Sequence, residues 1–359
     1  MVFELISNQI KKEISYLSTK PFIAILGLTY KCNLRCQMCR LWENEDTSKK
    51  ELSYREIVQF LNDLYHHFNI RFIRIVDTEA FLRNDIGAII KSIKRKGFYL
   101  HIVTNGTLIT RKLAELCIRE GVDRISISLD APNSVHDNIR GLHGAFERIK
   151  KGIELLVEVK KEKKHAQTKI HVLGLISALN YTVVPDMITF HKKMQTDEIS
   201  FSYLSEVTPS AYEKTIVHGK IIASNRFLPI KNSLLLNRRQ VKEFRKSILA
   251  INLPSLKILN NLKDEYLVKG YFPVQRCYHT KNAIMLNPYG DIIPCANLID
   301  YSYGNIKKER ISNIWNNEKH RFLLKKLNQS LFPVCYSCCH FPDNFTLIQY
   351  LRILLNLGL

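Results

Sequence analysis

Leu28-Thr29-Tyr30-Lys31-Cys32-Asn33-Leu34-Arg35-Cys36-Gln37-Met38-Cys39 sets three cysteines within eight residues, spaced Cys-x3-Cys-x2-Cys. Three thiolates in that spacing can bind three irons of a 4Fe-4S cube and leave the fourth iron without a protein ligand. An iron with an open position can take a substrate or a cofactor. The competing metal is zinc, whose structural sites use four ligands, commonly in Cys-x2-Cys pairs or with histidines. No histidine lies between Thr29 and Tyr65, so spacing and context favour the cluster.

A chain of 359 residues can bury a full core, as one large domain or one domain plus a smaller module. Its nine cysteines are few and clustered, which argues against a disulfide framework. Seven or eight of them fall into metal-ligand groups, which need a reducing, cytoplasmic setting. The start, Met1-Val2-Phe3-Glu4, has no basic region followed by an apolar core, which predicts no signal peptide. No apolar run reaches the ~18 residues of a spanning helix. The net charge of +20 favours anionic partners. The lysines are nonetheless spread out, with local clusters at Lys160 to Lys164 and Lys307 to Lys326, and no RNA- or DNA-binding motif accompanies them.

Between residues 20 and 205, short β-rich runs alternate with amphipathic stretches. The strand candidates are Phe22 to Leu28, Ile70 to Val76, Phe98 to Val103, Arg124 to Leu129, Lys169 to Leu175 and Glu198 to Tyr203. Between the first two, Ile57, Phe60, Leu61, Leu64 and Phe68 recur at helical spacing, and Ser53 with Glu56 forms a capping box. Six βα units predict an α/β fold with a parallel sheet. Residues 206 to 270 read as a helical connector. From Gly270 the texture changes to aromatics, turns and cysteines. The expected organisation is an N-terminal helix over 1–19, a barrel over 20–225, a connector over 226–270, a cysteine-bearing domain over 271–343 and an apolar tail over 344–359.

The cluster loop resembles that of the radical SAM superfamily, and the likeness extends along the chain in the family's order. It implies an open, partial (β/α)6 barrel with functional residues at the carboxyl ends of the strands. It also implies that S-adenosylmethionine (SAM) chelates the open iron of a 4Fe-4S cluster held by Cys32, Cys36 and Cys39. Reductive cleavage of SAM then gives a 5′-deoxyadenosyl radical, with a flavodoxin- or ferredoxin-like electron donor. Where many relatives carry Gly-Gly-Glu-Pro after the second strand, this chain has Asp77-Thr78-Glu79-Ala80. Glu79 keeps its place, but both glycines and the proline are replaced, and the loop loses dihedral freedom. Asp77 adds a carboxylate near the expected methionine ammonium. Thr104-Asn105-Gly106 and Ser126-Ile127-Ser128-Leu129-Asp130 end the third and fourth strands, and Arg140-Gly141 follows. The resemblance assigns Thr78, Glu79 and Asn105 to the SAM pocket, Ser128 and Arg140 to the SAM carboxylate, and Met38 to the adenine. A serine such as Ser128 also fits a turn, and Arg140 also fits a surface ion pair.

Cys277-x12-Gly290-x4-Cys295 is followed by Tyr303-Gly304-Asn305-Ile306, then by Cys335-x2-Cys338 with Cys339 adjacent. This region resembles the auxiliary-cluster domain of SPASM/Twitch radical SAM enzymes. The resemblance implies a small C-terminal Fe–S domain with a second 4Fe-4S cluster on Cys277, Cys295, Cys335 and Cys338. The same four cysteines also suit a tetrahedral structural zinc site. Cys117 reads as a buried apolar filler. Ala296 follows the second cysteine of this region, where sulfatase-maturing relatives place a catalytic carboxylate, so no catalytic base is assigned.

Phe3, Ile6, Ile10, Ile14 and Leu17 form an apolar stripe on a short N-terminal helix. Leu347, Ile348, Leu351, Leu354 and Leu355 share a face of the C-terminal tail, with Ile353 and Leu357 off it. This tail can pack on the protein or rest on an anionic membrane. The expected substrate is a peptide or protein, or else a small metabolite. The few residues before Phe22 show no peptide-leader recognition domain. Two rivals stand beside this reading: the same chemistry on a lipid- or sugar-linked metabolite at the membrane, and a non-catalytic, metal-stabilised nucleic-acid-binding protein.

Overall fold

The computed structural model describes residues 20–163, 166–229, 233–338 and 341–354. The N-terminal stripe, Lys164, Cys339, Leu355 and Leu357 lie outside the described residues. Six parallel strands run in chain order, each flanked by its neighbours in sequence: β1 (Ile23–Gly27), β2 (Phe72–Val76), β3 (Tyr99–Thr104), β4 (Arg124–Ser128), β5 (Lys169–Ile176) and β6 (Glu198–Tyr203). Each coincides with an expected strand. The crossover helices include α1 (Tyr54–His67), α2 (Ile86–Arg95), α3 (Arg111–Arg119), α4 (Ser134–Arg140), α5 (Ala145–Glu162) and α6 (Val184–Met194). The capping box that opens α1 is formed: Ser53 accepts from the Glu56 amide, and the Glu56 carboxylate accepts from the Ser53 amide at 2.7 Å.

Hydrophobic period links these elements to the core. Ile57, Phe60, Leu61 and Leu64 of α1 and Ile86, Ile89, Ile90 and Ile93 of α2 bury one helix face each. They meet Ile73, Ile75, Leu100, Ile102, Ile125 and Ile127, alternate residues of β2, β3 and β4. Each such side chain contributes about 1.5–3 kcal/mol by leaving water. The opposite faces of the strands line the barrel interior, which is partly polar. There His101 bonds Ser126 (2.7 Å), Ser126 bonds His171 (2.6 Å) and His171 bonds Ser200 (2.8 Å), a chain across four strands. Burial, and then nearby arginines, push the His101 and His171 pKa values down to about 2 and about 3, so both rings are neutral.

Beyond β6, a separate hairpin joins β7 (Ile216–Val217) to β8 (Lys220–Ile221). The C-terminal region then extends the main sheet. β9 (Ala283–Leu286) pairs in parallel with β1, while β10 (Asp291–Ile293) and β11 (Gly304–Asn305) add antiparallel strands, nine in all. The β9–β10 turn needs Gly290, whose φ is +97°. Ile25 of β1, Ala283 and Met285 of β9 and Ile293 of β10 make a second apolar cluster inside the barrel. The connector is helical over Arg238–Ile248, Pro254–Asn260 and Asp264–Lys269. In the tail, Phe345 is fully buried and the Gln349 amide donates to Pro273 O at 2.9 Å, whereas Ile348 is exposed. Among the described residues no helix is long and apolar enough to cross a membrane.

Candidate cluster and cofactor site

The loop that follows β1 carries Cys32, Cys36 and Cys39, and the rest of the barrel holds it from several sides. The Arg35 and Gln37 amides donate to the carbonyls of Arg140 (3.2 Å) and Ile139 (2.9 Å) at the end of α4. Gly141, with φ +67°, ends that helix, and a Cβ there would collide with the Arg35 carbonyl. Below the loop, Arg83 donates to the carbonyls of Leu28 (2.8 Å) and Leu52 (2.9 Å) and pairs with Asp85 at 2.7 Å. Glu51 accepts from the Thr29 hydroxyl and the Tyr30 amide at 2.7 and 2.9 Å. These contacts fix the backbone on which the thiols sit.

The three cysteines share a cavity of about 90 Å³ with Asp77, Thr78, Thr104, Asn105, Ser128 and Arg140. Of the residues expected to contact SAM, the structure therefore brings Thr78, Asn105, Ser128 and Arg140 beside the thiols. Arg140 is not in a surface pair. Its Nε lies 2.8 Å from Oδ2 of buried Asp130, out of hydrogen-bond alignment, and its Nη1 lies 3.9 Å from Cys36 Sγ. Asp130 Oδ1 accepts from the Leu175 amide at 3.0 Å. His136, neutral because burial and then Arg140 push its pKa down to about 4, accepts from the Asp130 amide at 3.1 Å. Asp130 and Gly141 were missed as site residues although both stand within the quoted motifs. Their spacing from Ser128 and Arg140 is the signal that marks them.

Glu79 is placed differently. It is fully buried and does not line the cavity. Its carboxylate accepts from Thr104 Oγ1 (2.9 Å) and from the amides of Asn105 (2.8 Å) and Phe81 (3.1 Å), so it ties the β2 loop to the β3 loop. Burial raises its pKa to about 7 against those hydrogen bonds. Asn105 in turn donates to Asn33 Oδ1 at 2.9 Å, linking the β3 loop to the cysteine loop. Asp77, in the place of a glycine, keeps a glycine-like φ of +92°.

Met38 faces a second, larger cavity of about 470 Å³ on the other side of the loop. Cys36 and Cys39 reach it too, and its far wall is the chain beyond β6, Leu204-Ser205-Glu206, with Leu228 and Leu234. Arg35, stacked 4.3 Å over Trp42, and Arg226 bring cations to this cavity; Glu206 is the carboxylate lining it.

Cys277, Cys295, Cys335 and Cys338, drawn from three separate stretches of chain, line a small closed cavity with Thr280, Asn297 and Asn344. The Thr280 hydroxyl and the Asn344 amide each donate to a thiol, Cys277 and Cys338, at 3.5 Å. Cys117 is buried on α3, away from both groups. Among the described residues no three cysteine, histidine, aspartate or glutamate side chains converge as ligands of one ion do; both cysteine groups instead surround a space. Burial raises the Cys39 thiol to about 11 and also raises Cys32, Cys36 and Cys335. Such thiols ionise when a cation binds them, because metal charge inverts the local pKa order. The donor sets therefore fit iron–sulfur clusters, three thiols at an open loop and four in a closed pocket.

Residues 26–176 match the radical SAM superfamily, and residues 277–339 match an iron–sulfur cluster-binding domain, SPASM. The chain is similar over 332 residues, at 23% identity, to the tungsten-containing aldehyde ferredoxin oxidoreductase cofactor-modifying protein of Pyrococcus furiosus, spanning 87% of this chain and 86% of that one. It is equally similar, 23% over 313 residues and 84% of each chain, to an AdoMet-dependent heme synthase of Methanosarcina barkeri. Its fold matches that of SuiB from Streptococcus suis with a TM-score of 0.61 at 15% identity, covering 90% of this chain and 73% of SuiB. The chain thus belongs to the radical SAM superfamily, an enzyme with a SAM-binding 4Fe-4S cluster in its barrel and an auxiliary cluster in a C-terminal SPASM domain.

Proposed function

We propose that Cys32, Cys36 and Cys39 bind the SAM cluster, that Ser128 and Arg140 receive the SAM carboxylate, and that Thr78 and Asn105 complete the pocket. The observation that carries this reading is the one cavity shared by the three thiols and these four side chains. Bound there, the cluster and SAM supply reductive cleavage to a 5′-deoxyadenosyl radical that abstracts hydrogen from a substrate. The chain's own part is positional. Asp130 holds Arg140, Glu79 locks the β2 and β3 loops together, and Met38 offers an apolar wall to the adenine from the larger cavity. Cys277, Cys295, Cys335 and Cys338 hold the auxiliary cluster, where a full set of thiolates leaves no open iron and favours electron transfer or scaffolding.

The larger cavity beside the loop receives the substrate. Its volume of about 470 Å³ is in the range of small-molecule sites and of a single peptide segment. A peptide or protein is the leading substrate class; SuiB, of like fold, has been crystallised with its precursor peptide. A cofactor-type metabolite is the competing class, and two relatives matched over more than four fifths of their length carry names of that kind. The enzyme works in the cytoplasm with a flavodoxin- or ferredoxin-like donor, and exposed Ile348 on a basic chain is the point at which an anionic membrane would be touched. Anaerobic reconstitution, reduction and assay for 5′-deoxyadenosine test the central reading: formation from SAM supports it, and none at full iron loading refutes it. Stimulation by peptide pools or by metabolite pools then separates the substrate classes. Co-sedimentation with anionic liposomes tests the membrane contact.

A further inference from the structure

The chain departs most sharply from its family's pattern at Asp77-Thr78, where two glycines are expected and neither is present. Asp77 keeps φ at +92°, a region that glycine enters freely and other residues only with strain. Strain of this kind persists where the surroundings over-determine it, and it concentrates at ligand sites. The surroundings here are specific. Gly27 at the end of β1 leaves the room for the new carboxylate: a Cβ on Gly27 would stand 2.5 Å from Asp77 Oδ2.

Asp77 lines the same small cavity as the three thiols, Ser128 and Arg140. The cavity is therefore polarised. Arg140 enters it from the end of α4 and Asp77 from the end of β2. The methionine part of SAM is a zwitterion, and its two charges match that order.

We propose that Asp77 binds the α-ammonium of SAM, replacing a backbone-only contact with a charge-assisted hydrogen bond from ammonium to carboxylate. This rests on the small cavity being the SAM pocket. That contact accounts for a strained aspartate in a glycine's place and for Gly27 opposite it. Thr78 plays a separate part, because its hydroxyl donates to the Thr29 carbonyl and braces the loop.

The test compares wild type, Asp77→Gly and Asp77→Asn after anaerobic reconstitution, with SAM titrated against the cluster's EPR spectrum. A SAM analogue with hydrogen in place of the α-amino group serves as the second probe. Asp77→Gly restores the residue the backbone prefers, so its melting temperature should rise and its iron content should equal that of wild type. A purely structural Asp77 then predicts unchanged or tighter SAM binding. The proposal predicts SAM binding weaker by about ten- to a hundredfold, the loss expected for a hydrogen bond to a charged group. Asp77→Asn, which tolerates positive φ, should weaken SAM by less. The amino-free analogue should bind wild type and Asp77→Gly alike. Wild-type and Asp77→Gly proteins that bind SAM equally overturn the role of Asp77 alone. A wild-type cluster spectrum that ignores SAM overturns the pocket assignment and this inference together.

Discussion

The two cysteine sites of this chain solve opposite problems. At the first, three ligands lie within eight residues, so the loop itself sets their spacing, and the fold's work goes into what surrounds them. Strand ends bring Asp77, Asn105 and Ser128, and the end of α4 brings Arg140, to one open cavity. At the second, four cysteines come from stretches near residues 277, 295 and 335–338, and the fold's work is to gather them. Asn297 donates to the Val334 and Ser337 carbonyls at 3.5 and 3.3 Å, and Asn344 accepts from the Tyr278 amide at 2.8 Å, tying the stretches together. In the proposed assignment the first arrangement keeps a coordination position for a small molecule, and the second fills every position with protein. Openness to chemistry follows from ligand number, and local or distant ligation decides which parts of the fold each site depends on.

The largest effects should come from breaking the sites separately. Cys36→Ala leaves two thiols at the loop, too few to retain a cube, and should abolish 5′-deoxyadenosine formation. The protein should then keep about four of about eight irons. Cys335→Ala with Cys338→Ala should also keep about four irons, but its remaining cluster should still respond to SAM by EPR. If both variants lost the SAM response alike, the two sites would not be independent. Zinc in the Cys36→Ala protein in place of iron would contradict a second cluster.

Next in size is the support beneath Arg140. Asp130→Asn removes the partner of a buried guanidinium, a change that costs about 3–5 kcal/mol. Thermal melts should show it as a drop of several degrees. Adding Arg140→Gln should recover part of the loss, since the two residues act as a pair; strictly additive losses would show that they do not. Gly141→Ala should cost about 1–3 kcal/mol for the backbone angle alone. It should also lower iron loading at the first site, because the new methyl group meets the Arg35 carbonyl inside the cluster loop. A variant with normal melting and full iron would remove Gly141 from the site's construction. Among the described residues no glycine stands against the auxiliary cysteines in this way, so the contrast between the sites is directly at stake.

Much of this was legible in the sequence because it is periodic or local. The six strands follow from β-rich runs between amphipathic helices, and the cluster loop from its own spacing. What lies across strands was less legible. Asp130 stands in a quoted motif, yet nothing in one dimension shows that its carboxylate meets Arg140. Glu79 reads as a pocket residue by position, but Thr104 and Asn105 at the end of β3 and Phe81 in its own loop engage its carboxylate, and it does not line the cavity. Met38 reads as an adenine neighbour, and only the fold shows that it faces the larger cavity. The parallel pairing of Ala283–Leu286 with β1 joins segments about 260 residues apart, a separation that periodicity cannot bridge.

The last expected effect is a pH dependence, and it separates the roles of Glu79 and Asp77 on the same loop. The folded-state pKa of Glu79 is raised from 4.5 to about 7, first by burial. Between those values the folded protein binds more protons than the unfolded chain, so stability falls as pH rises. The fall should approach about 1.4 kcal/mol per pH unit within that window and be absent above pH 7 and below pH 4.5. Other carboxylates act in the opposite direction: Asp197, half-buried beside Lys160, and Glu56, at the α1 cap, are lowered. The quantity to measure is therefore the difference between wild type and Glu79→Gln, melted from pH 4 to pH 8. The glutamine keeps the shape and one acceptor, so the variant should gain on wild type as pH rises to about 7 and then run parallel. Parallel curves throughout would show that Glu79 is not buried as described. A loss of SAM affinity in Glu79→Gln larger than that in Asp77→Gly would place Glu79, rather than Asp77, at the cofactor.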